Sequence, residues 1–380
     1  MLFATPALDG DDDRVLAQIE DFREQFRHRL AEPRRWQGQL RRILVAEAIR
    51  GSNTIEGYTI SRDDAMALAS GDSMSSTPND DTRAAVEGYK DALTYVQQSA
   101  HFEVFRYDEM LLSALHFMLV KHDLPKWPGR YRPGGIWVGG GPGNPPAYEG
   151  PEAEQVPPLM GELVDWLNTG DLDAPAYARA AMAHLNLVSI HPWRDGNGRM
   201  SRCLHTLVLA RERILAPEFS SVEEWLGLSH HNTLQYYAAL SSVRTSWAPE
   251  RNAHSWVRFC LRAHHLQAQG VQRRFEEAAR IWVSLEAVAH QHRLPERTVT
   301  ALYAASQGHL RRKTYAEDEE LTRDQSVRDL QLLKRLDLIE AVGHGRTLRY
   351  LGGKDIRALA AEVQRSVSSE FLKEPYPLAE

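Results

Sequence analysis

The spacing of apolar residues along the chain is mainly helical. Val15, Ile19, Phe22 and Phe26 recur at intervals of three or four residues, which is typical of one face of an amphipathic helix. This pattern predicts one or two helices over residues 12–50, interrupted at Gly51. Further helices are predicted over residues 84–98, 107–121, 156–166, 175–189, 198–213, 236–243 and 253–277. We therefore expect a mainly α fold.

Two segments depart from the helical pattern. In the first, an apolar piece, Ile136-Trp137-Val138, leads into a run of glycine and proline at residues 139–143, which predicts a strand entering a hairpin. In the second, a helix over residues 324–336 precedes two short apolar runs around Gly343-His344-Gly345. That order predicts a helix followed by a small β-hairpin.

Composition narrows the class of protein. The 380 residues exceed one ordinary domain, and 43% hydrophobic with 25% charged residues is typical of globular proteins. Two cysteines in helical stretches indicate buried thiols and a reducing, cytoplasmic compartment. Neither a secretory signal nor a membrane span is expected, because no long apolar run occurs. The net charge of −6 argues against general polyanion binding but leaves a local basic patch open.

Residues 191–202 hold most of the candidate chemistry. A proline directly after His191 blocks continuation of the preceding helix, so this histidine is predicted at a helix exit. Gly196 and Gly198 permit left-handed backbone, and the next helix is predicted to begin near Gly198 with Asn197 as its N-cap. A helix that begins after a glycine turn offers free N–H groups to an anion.

The charged residues of the same segment fit that anion. Arg199 and Arg202 are three apart on the first turns of a helix, where basic residues are favourable mainly if an anion is bound. Asp195 is suited to Mg²⁺, and His191 is a base that titrates near neutral pH. Each residue alone is more often structural. Together within twelve residues they predict phosphoryl or nucleotidyl transfer.

This segment resembles the signature of the Fic family, His-Pro-Phe-x-Asp/Glu-Gly-Asn-Gly/Lys-Arg with a second arginine three residues later. The matching residues are His191, Pro192, Asp195, Gly196, Asn197, Gly198, Arg199 and Arg202. Trp193 stands where phenylalanine is usual, so the aromatic anchor is kept. The resemblance implies a Fic-type helical bundle with a β-hairpin flap, and a protein adenylyltransferase that moves AMP from ATP to a protein hydroxyl and releases pyrophosphate.

The resemblance also implies a role for each residue. His191 would deprotonate the target hydroxyl, and Asp195 would coordinate Mg²⁺ on the α- and β-phosphates. The backbone of residues 196–198 would cradle those phosphates. Arg199 would contact the phosphates as well, and Arg202 would bind the γ-phosphate.

A second motif lies far ahead of the first. Ser52-Asn53-Thr54-Ile55-Glu56-Gly57 is similar to the family's inhibitory motif, Ser/Thr-x-x-x-Glu-Gly/Asn. The similarity covers Ser52, Glu56 and Gly57 and implies that Glu56 pairs with Arg202 and removes the partner of the γ-phosphate. Without the resemblance, Glu56 reads as an ordinary helix-capping residue.

Two further segments resemble parts of Fic proteins that surround ATP. Gly129-Arg130-Tyr131-Arg132 with Ile136-Trp137-Val138-Gly139 resembles the flap, which covers the ATP site and holds the target peptide along a strand edge. Tyr236-Tyr237 resembles an aromatic pair at the adenine pocket. A surface hairpin without a partner and a pair of core aromatics remain the alternatives.

Residues 281–352 look like a winged helix-turn-helix with a wing from Gly343 to Arg349. The recognition helix would include Gln325, Ser326, Arg328 and Lys334. Residues 311–350 carry nine Lys and Arg against eight Asp and Glu, whereas DNA readers have a basic excess. A protein-contact or dimerisation module is therefore as well supported as DNA binding.

The expected domains are an N-terminal helical region with the inhibitory helix (1–100), a Fic core (101–270), a winged helix-turn-helix (271–355) and a C-terminal tail (356–380). The expected activity depends on ATP and Mg²⁺, with a target protein on the flap, self-modification and a homodimer as further expectations. Two alternatives stay open: removal of AMP from a modified protein by the same site, and a DNA-binding regulator whose Fic region is a sensor.

Overall fold

The protein is mainly helical, as predicted. The computed structural model describes residues 1–32, 34–74, 79–139, 145–214, 219, 221–368 and 372–377. Its α-helices are α1 (Gly10–Ala31), α2 (Gln37–Ile55), α3 (Arg62–Ala69), α4 (Asp80–Ser99), α5 (Glu109–Val120), α6 (Val156–Thr169), α7 (Ala176–Ile190), α8 (Asn197–Arg211), α9 (Glu223–Gly227), α10 (His230–Val243), α11 (His254–Gln291), α12 (Thr298–Ser306), α13 (Arg312–Asp318), α14 (Arg323–Arg335) and α15 (Lys354–Ser368).

Two small antiparallel ribbons lie where the sequence predicts hairpins. In the first, β1 (Trp137–Val138) pairs with β2 (Tyr148–Glu149). In the second, β3 (Ile339–Val342) pairs with β4 (Arg349–Gly352). The glycine-rich tip predicted after β1 lies outside the described residues beyond Gly139.

The predicted interruption at Gly51 is wrong, because α2 continues through it to Ile55. A Cβ atom on Gly51 would lie 2.2 Å from the carbonyl oxygen of Glu223, and one on Gly227 would lie 2.4 Å from the carbonyl oxygen of Gly51. The backbones of α2 and α9 therefore touch, and only glycine fits at these two positions. Close packing accounts for a glycine that would otherwise weaken the helix.

Helix α11 is longer than predicted and joins two hydrophobic cores. It runs for 38 residues, past residue 277 and through residue 270 without a break. Its first half packs into the core that surrounds α4 to α8. Its second half, with Phe275 and Ile281, packs with α1, α2, α12 and α14 in the second core. The proposed domain boundaries stay predictions.

One residue of the predicted recognition helix is not available to a partner. Ser326 is fully buried on α14, and its Oγ donates to the carbonyl of Arg323 at 2.9 Å. Arg328 and Lys334 on the same helix are exposed. Within the part of the chain that the structure describes, no helix is both long and apolar enough to cross a membrane.

Candidate active site

The turn between α7 and α8 is built by two residues with left-handed backbone. His191 caps the end of α7 with φ 51°, and its N–H donates to the carbonyl of Leu187 at 3.0 Å. Gly196, with φ 76°, is the N-cap of α8. The prediction of Asn197 as N-cap is therefore wrong. Asn197 is buried and stabilises the turn instead, because its Nδ2 donates a hydrogen bond to the carbonyl of Trp193 at 2.8 Å.

A histidine on α5, which the sequence did not single out, supports this turn. His116 stacks on the buried Trp193 with ring centroids 4.3 Å apart. Gly129 N–H donates to His116 Nδ1 at 2.9 Å, so Nε2 carries the proton and donates to the carbonyl of Asp195 at 2.9 Å. Burial lowers the pKa of His116 to about 4, which keeps this arrangement neutral at pH 7.

His191 is held as a neutral base. Its Nδ1 lies 3.1 Å from the carbonyl oxygen of Val188 and donates to it, which leaves Nε2 as the acceptor. Burial lowers the pKa of His191 to about 4, and the charges of Arg244 and Arg132 act in the same direction. The expectation of a base that titrates near neutral pH is corrected: the imidazole is already neutral well below pH 7.

Arg132 connects the flap to the end of α7. This arginine is buried, and its Nε donates to the carbonyl of His191 at 2.8 Å, while its backbone N–H donates to the carbonyl of Pro192 at 2.9 Å. A third bond, from Nη2, reaches the carbonyl of Pro151 at 2.5 Å. The position of His191 is thus coupled to the segments on both sides of the β1–β2 ribbon.

Arg199 and Arg202 on α8 are buried rather than solvated, each only 1% exposed. Arg202 donates from Nε to Ser52 Oγ at 2.8 Å, and from Nη2 to Glu56 Oε1 at 2.8 Å. Burial lowers the pKa of a guanidinium, but the carboxylate of Glu56 raises the pKa of Arg202 above its ordinary value. Among the described residues, Arg202 Nη1 and the Nε and Nη1 of Arg199 have no hydrogen-bond partner.

Glu56 lies at the start of α8, where the sequence predicts an anion site. Gly57 follows α2 with φ 85°, and this left-handed turn directs the chain away after Glu56. A Cβ atom on Gly198 would lie 2.3 Å from Glu56 Oε1. The structure therefore brings Ser52 and Glu56 of α2 together with Gly198 and Arg202 of α8.

A cavity of about 130 Å³ adjoins these residues. It is lined by Glu56, Val138, Ala147, Tyr148, Val188, His191, Gly198, Tyr236, Tyr237, Leu240, Ser241 and Arg244. A larger hollow of about 620 Å³ between the end of α1, residues 34–36 and α11 contains none of the predicted site residues. The smaller cavity is the better candidate because it brings residues from four separate segments next to His191.

The other predicted residues differ in how close they come to the cavity. Asp195 is half-buried outside the lining, and its Oδ1 accepts a bond from Gly196 N–H at 2.7 Å while Oδ2 lies 3.6 Å from Lys126 Nζ. Trp137 is 61% exposed and points to the outside of the ribbon. Ile136 and Gly139 flank β1 without lining the cavity.

The two tyrosines of the predicted adenine pocket have different surroundings. Tyr236 is buried, and its hydroxyl lies 3.0 Å from His184 Nε2 in the core. Tyr237 is 42% exposed, and its hydroxyl donates to the carbonyl of Ile55 at 3.2 Å. Tyr237 is therefore the more accessible of the two to a ligand in the cavity.

Arg244 is a second residue that the sequence did not single out. It is buried with its guanidinium 3.8 Å from the centre of the Tyr148 ring, and burial lowers its pKa. Its Nε and Nη1 lack a hydrogen-bond partner among the described residues. Its position on the cavity wall at the end of α10 has no local sequence signal.

Comparison with known proteins identifies the central segment. Residues 106–209 match the Fic/DOC family. This segment is a Fic domain. It contains α5 to α8 with His191, whereas Glu56 and the two tyrosines reach the same cavity from outside it.

The relatives of this Fic domain include named enzymes. Protein adenylyltransferase fic-1 of Caenorhabditis elegans is 28% identical over 214 residues, which cover 54% of this chain and 39% of that protein. Protein adenylyltransferase Fic of Nematostella vectensis is 32% identical over 165 residues, which cover 42% of this chain and 36% of that protein. The chain thus spans less than half the length of these relatives.

Solved structures share the fold around the Fic domain. A Fic family protein from Desulfovibrio desulfuricans G20 has a TM-score of 0.57 at 23% identity, over 92% of this chain and 98% of that one. Fic-1 from C. elegans has a TM-score of 0.54 at 23% identity, over 69% of this chain and 71% of that one. The helical Fic fold is therefore shared well beyond residues 106–209.

Proposed function

We propose that this chain is a protein adenylyltransferase that Glu56 holds inactive. It would transfer AMP from ATP to a hydroxyl group of a target protein and release pyrophosphate. The observation that carries the proposal is the 2.8 Å contact between Glu56 and the buried Arg202, at the start of α8 and beside His191. The names of the two relatives support the same chemistry.

The start of α8 supplies donors for the phosphates of ATP. The first N–H groups of a helix have no partner within it and bind anions. Arg199 and Arg202 add guanidinium N–H groups without partners among the described residues, which suit phosphate oxygens. Arg244 adds positive charge at the cavity wall, and the accessible ring of Tyr237 suits the base.

Asp195 is the residue we assign to Mg²⁺. Its half-buried carboxylate lies beside the proposed phosphate site, and its Oδ2 lies 3.6 Å from Lys126 Nζ. This fits Mg²⁺, which is commonly held by one or two carboxylates together with substrate phosphates. When bound, the ion would neutralise charge on the phosphates.

His191 would act as the general base. Its Nε2 accepts the proton of the target hydroxyl as the oxygen attacks the α-phosphorus of ATP. The bond from that phosphorus to the oxygen bridging to the β-phosphate breaks, and pyrophosphate leaves. The lowered pKa of His191 means that the imidazole is ready to accept a proton at neutral pH.

The free edge of the flap would hold the target. The chain at residues 245–246 already occupies the outer edge of β2, where Glu149 N–H donates to the carbonyl of Thr245 at 3.1 Å. In the described residues β1 pairs with β2 alone, so its other edge can bind a peptide strand through main-chain hydrogen bonds.

Glu56 would inhibit by occupying the partner of the γ-phosphate. Its carboxylate uses Arg202 and also brings negative charge to the place where phosphate must bind. Removing the side chain should therefore free Arg202 without disturbing His191.

The test is transfer from ATP labelled at its α-phosphate, measured by label on the protein itself and on proteins of a cell extract. Glu56→Gly should label strongly, the wild type weakly, and Glu56→Gly combined with His191→Ala not at all. ATP binding by calorimetry shows that the double variant is folded. Absence of label from Glu56→Gly, with ATP bound, would falsify the proposal, and equal labelling by wild type and Glu56→Gly would remove Glu56 from its role.

A further inference from the structure

Charged residues join residues 298–368, which we call the C-terminal region, to α2 and α3. Three ion pairs, which we call the tether pairs, cross this contact: Arg42–Asp318, Asp63–Arg349 and Asp72–Arg311. Residues 317–320, an acidic run that would repel DNA if it faced outward, thus turn part of their charge towards α2.

The pair between Arg42 and Asp318 has the geometry of a strong surface interaction. Arg42 Nη1 donates to Asp318 Oδ1 at 3.0 Å, and Nη2 donates to Oδ2 at 2.5 Å. Gln39 Oε1 accepts a second bond from Nη2 at 2.8 Å and fixes the guanidinium. A bidentate pair whose arginine is already oriented by a neighbour loses less side-chain entropy when it forms than most surface ion pairs do.

The charges are reversed at α3. Asp63 pairs with Arg349 of β4, and its other oxygen lies 3.5 Å from Nδ1 of the buried His309. Asp72, just after α3, lies 3.7 Å from Nε of Arg311. The C-terminal region therefore offers an acid to α2 and bases to α3, so its surface is complementary to both.

The tether pairs involve residues that come before and after Glu56 in the sequence. Arg42 precedes Glu56 on α2 by about 21 Å of helix, at 1.5 Å per residue. Asp63 lies on α3, the helix that follows Glu56. A movement of α2 and α3 relative to the C-terminal region that withdraws Glu56 from Arg202 would therefore strain or break tether pairs on one side or both.

We propose that the C-terminal region sets the strength of inhibition, because the tether pairs hold α2 and α3 in the position from which Glu56 reaches Arg202. The proposal rests on the proposed function. Because the pairs form in this position, they favour it over any position in which they are broken. Apolar packing of Trp36 and Leu40 in the second core also holds α2, so the pairs adjust the balance between the two positions.

Charge reversal tests the proposal. Arg42→Asp and Asp318→Arg should each raise transfer from labelled ATP by roughly three- to tenfold over wild type, as expected for one lost, well-formed pair and a new repulsion. The combination of both should return to the wild-type rate because the pair forms again with its charges exchanged. Asp63→Arg and Arg349→Asp should behave in the same way.

A matched control comes from the same region. Arg357 pairs with Glu340 at 3.2 Å within the C-terminal region, and among the described residues it forms no ion pair with α2 or α3. Arg357→Glu should leave transfer unchanged. Hydrogen exchange of residues 42–62 gives a readout independent of activity, and it should be faster in Arg42→Asp and normal in the exchanged pair.

The outcomes separate the two proposals. Suppose that Glu56→Gly is active but neither Arg42→Asp nor Asp63→Arg raises transfer or hydrogen exchange. The proposed role of the tether pairs is then wrong, and the proposed function stands. If the double charge-reversal variants stay as active as the single variants, loss of the ion pairs does not cause the higher activity, and the proposed role of the tether pairs is also wrong. If Glu56→Gly itself does not transfer AMP, the proposed function fails first.

Discussion

The ring of Tyr58 covers the guanidinium of Arg199, with 4.9 Å between Cζ of the arginine and the centre of the ring. Tyr58 follows the inhibitory Glu56-Gly57, so one short segment contacts both Arg199 and Arg202. A cation–π contact of this kind contributes about 1 kcal/mol. We predict that Tyr58→Ala tightens ATP binding about fivefold, measured by calorimetry in a His191→Ala background that prevents turnover.

The matched variant for this prediction keeps the ring. Tyr58→Phe should bind ATP like the parent, because the hydroxyl takes no part in the contact with Arg199. Tighter binding in Tyr58→Phe than in Tyr58→Ala would contradict the idea that the ring competes with phosphate for Arg199.

The glycine contact between α2 and α9 leads to a second prediction. Gly51→Ala places a methyl group 2.2 Å from a backbone oxygen, so α2 must move away from α9. We expect transfer activity to rise several-fold as Glu56 loses its position, and the free energy of unfolding to fall by about 1–3 kcal/mol. Labelling and urea unfolding measure the two effects.

Gly38→Ala is the control for that substitution. Gly38 is in the same helix, and its nearest neighbour to an added Cβ is the flexible end of Arg42 at 3.9 Å. Alanine there should stabilise the protein by about 0.5–1 kcal/mol through helix propensity and leave activity unchanged. A rise in activity in Gly38→Ala equal to that in Gly51→Ala would show that the α2–α9 contact is not responsible.

The surroundings of His191 predict the pH dependence of transfer. A histidine with its ordinary pKa of 6.5 would lose activity as pH falls below neutrality, whereas His191 has a pKa of about 4. Because the neutral form is the base, kcat/KM of Glu56→Gly should stay flat from about pH 8 down to about pH 5 and fall only as the pH approaches 4. If the activity instead fell with a midpoint near pH 6.5, the pKa of His191 would not be lowered in this way.

The turn between α7 and α8 could be predicted because the residues that shape it are neighbours in the sequence. The proline after His191 ends α7 and Gly196 adopts left-handed backbone, as predicted, whereas Gly198 lies within α8 and has helical backbone. The N-cap was misplaced by one residue because Asn197 and Gly196 both suit that position. The long-range contact between Glu56 and Arg202 followed only from a resemblance.

Other parts depend on contacts that local patterns do not encode. Gly51 reads as a helix break because glycine weakens an isolated helix, and only its contact with α9 explains why α2 continues. His116 is 79 positions from the carbonyl it supports, and Arg244 reaches the cavity from the end of α10. Nothing in the spacing of α5 or α10 distinguishes these residues from ordinary polar ones.

The support of the loop by His116 gives the last prediction. In a Glu56→Gly background, His116→Phe keeps an aromatic ring against Trp193 but leaves Gly129 N–H and the carbonyl of Asp195 without their partner. Each buried polar group left unpaired costs about 1–3 kcal/mol, so we expect a less stable protein with a lower kcat and a smaller change in KM. His116→Gln can still donate to the carbonyl of Asp195 and should recover part of kcat. If His116→Phe kept full kcat while unfolding more easily, the histidine would stabilise the fold without positioning the catalytic loop.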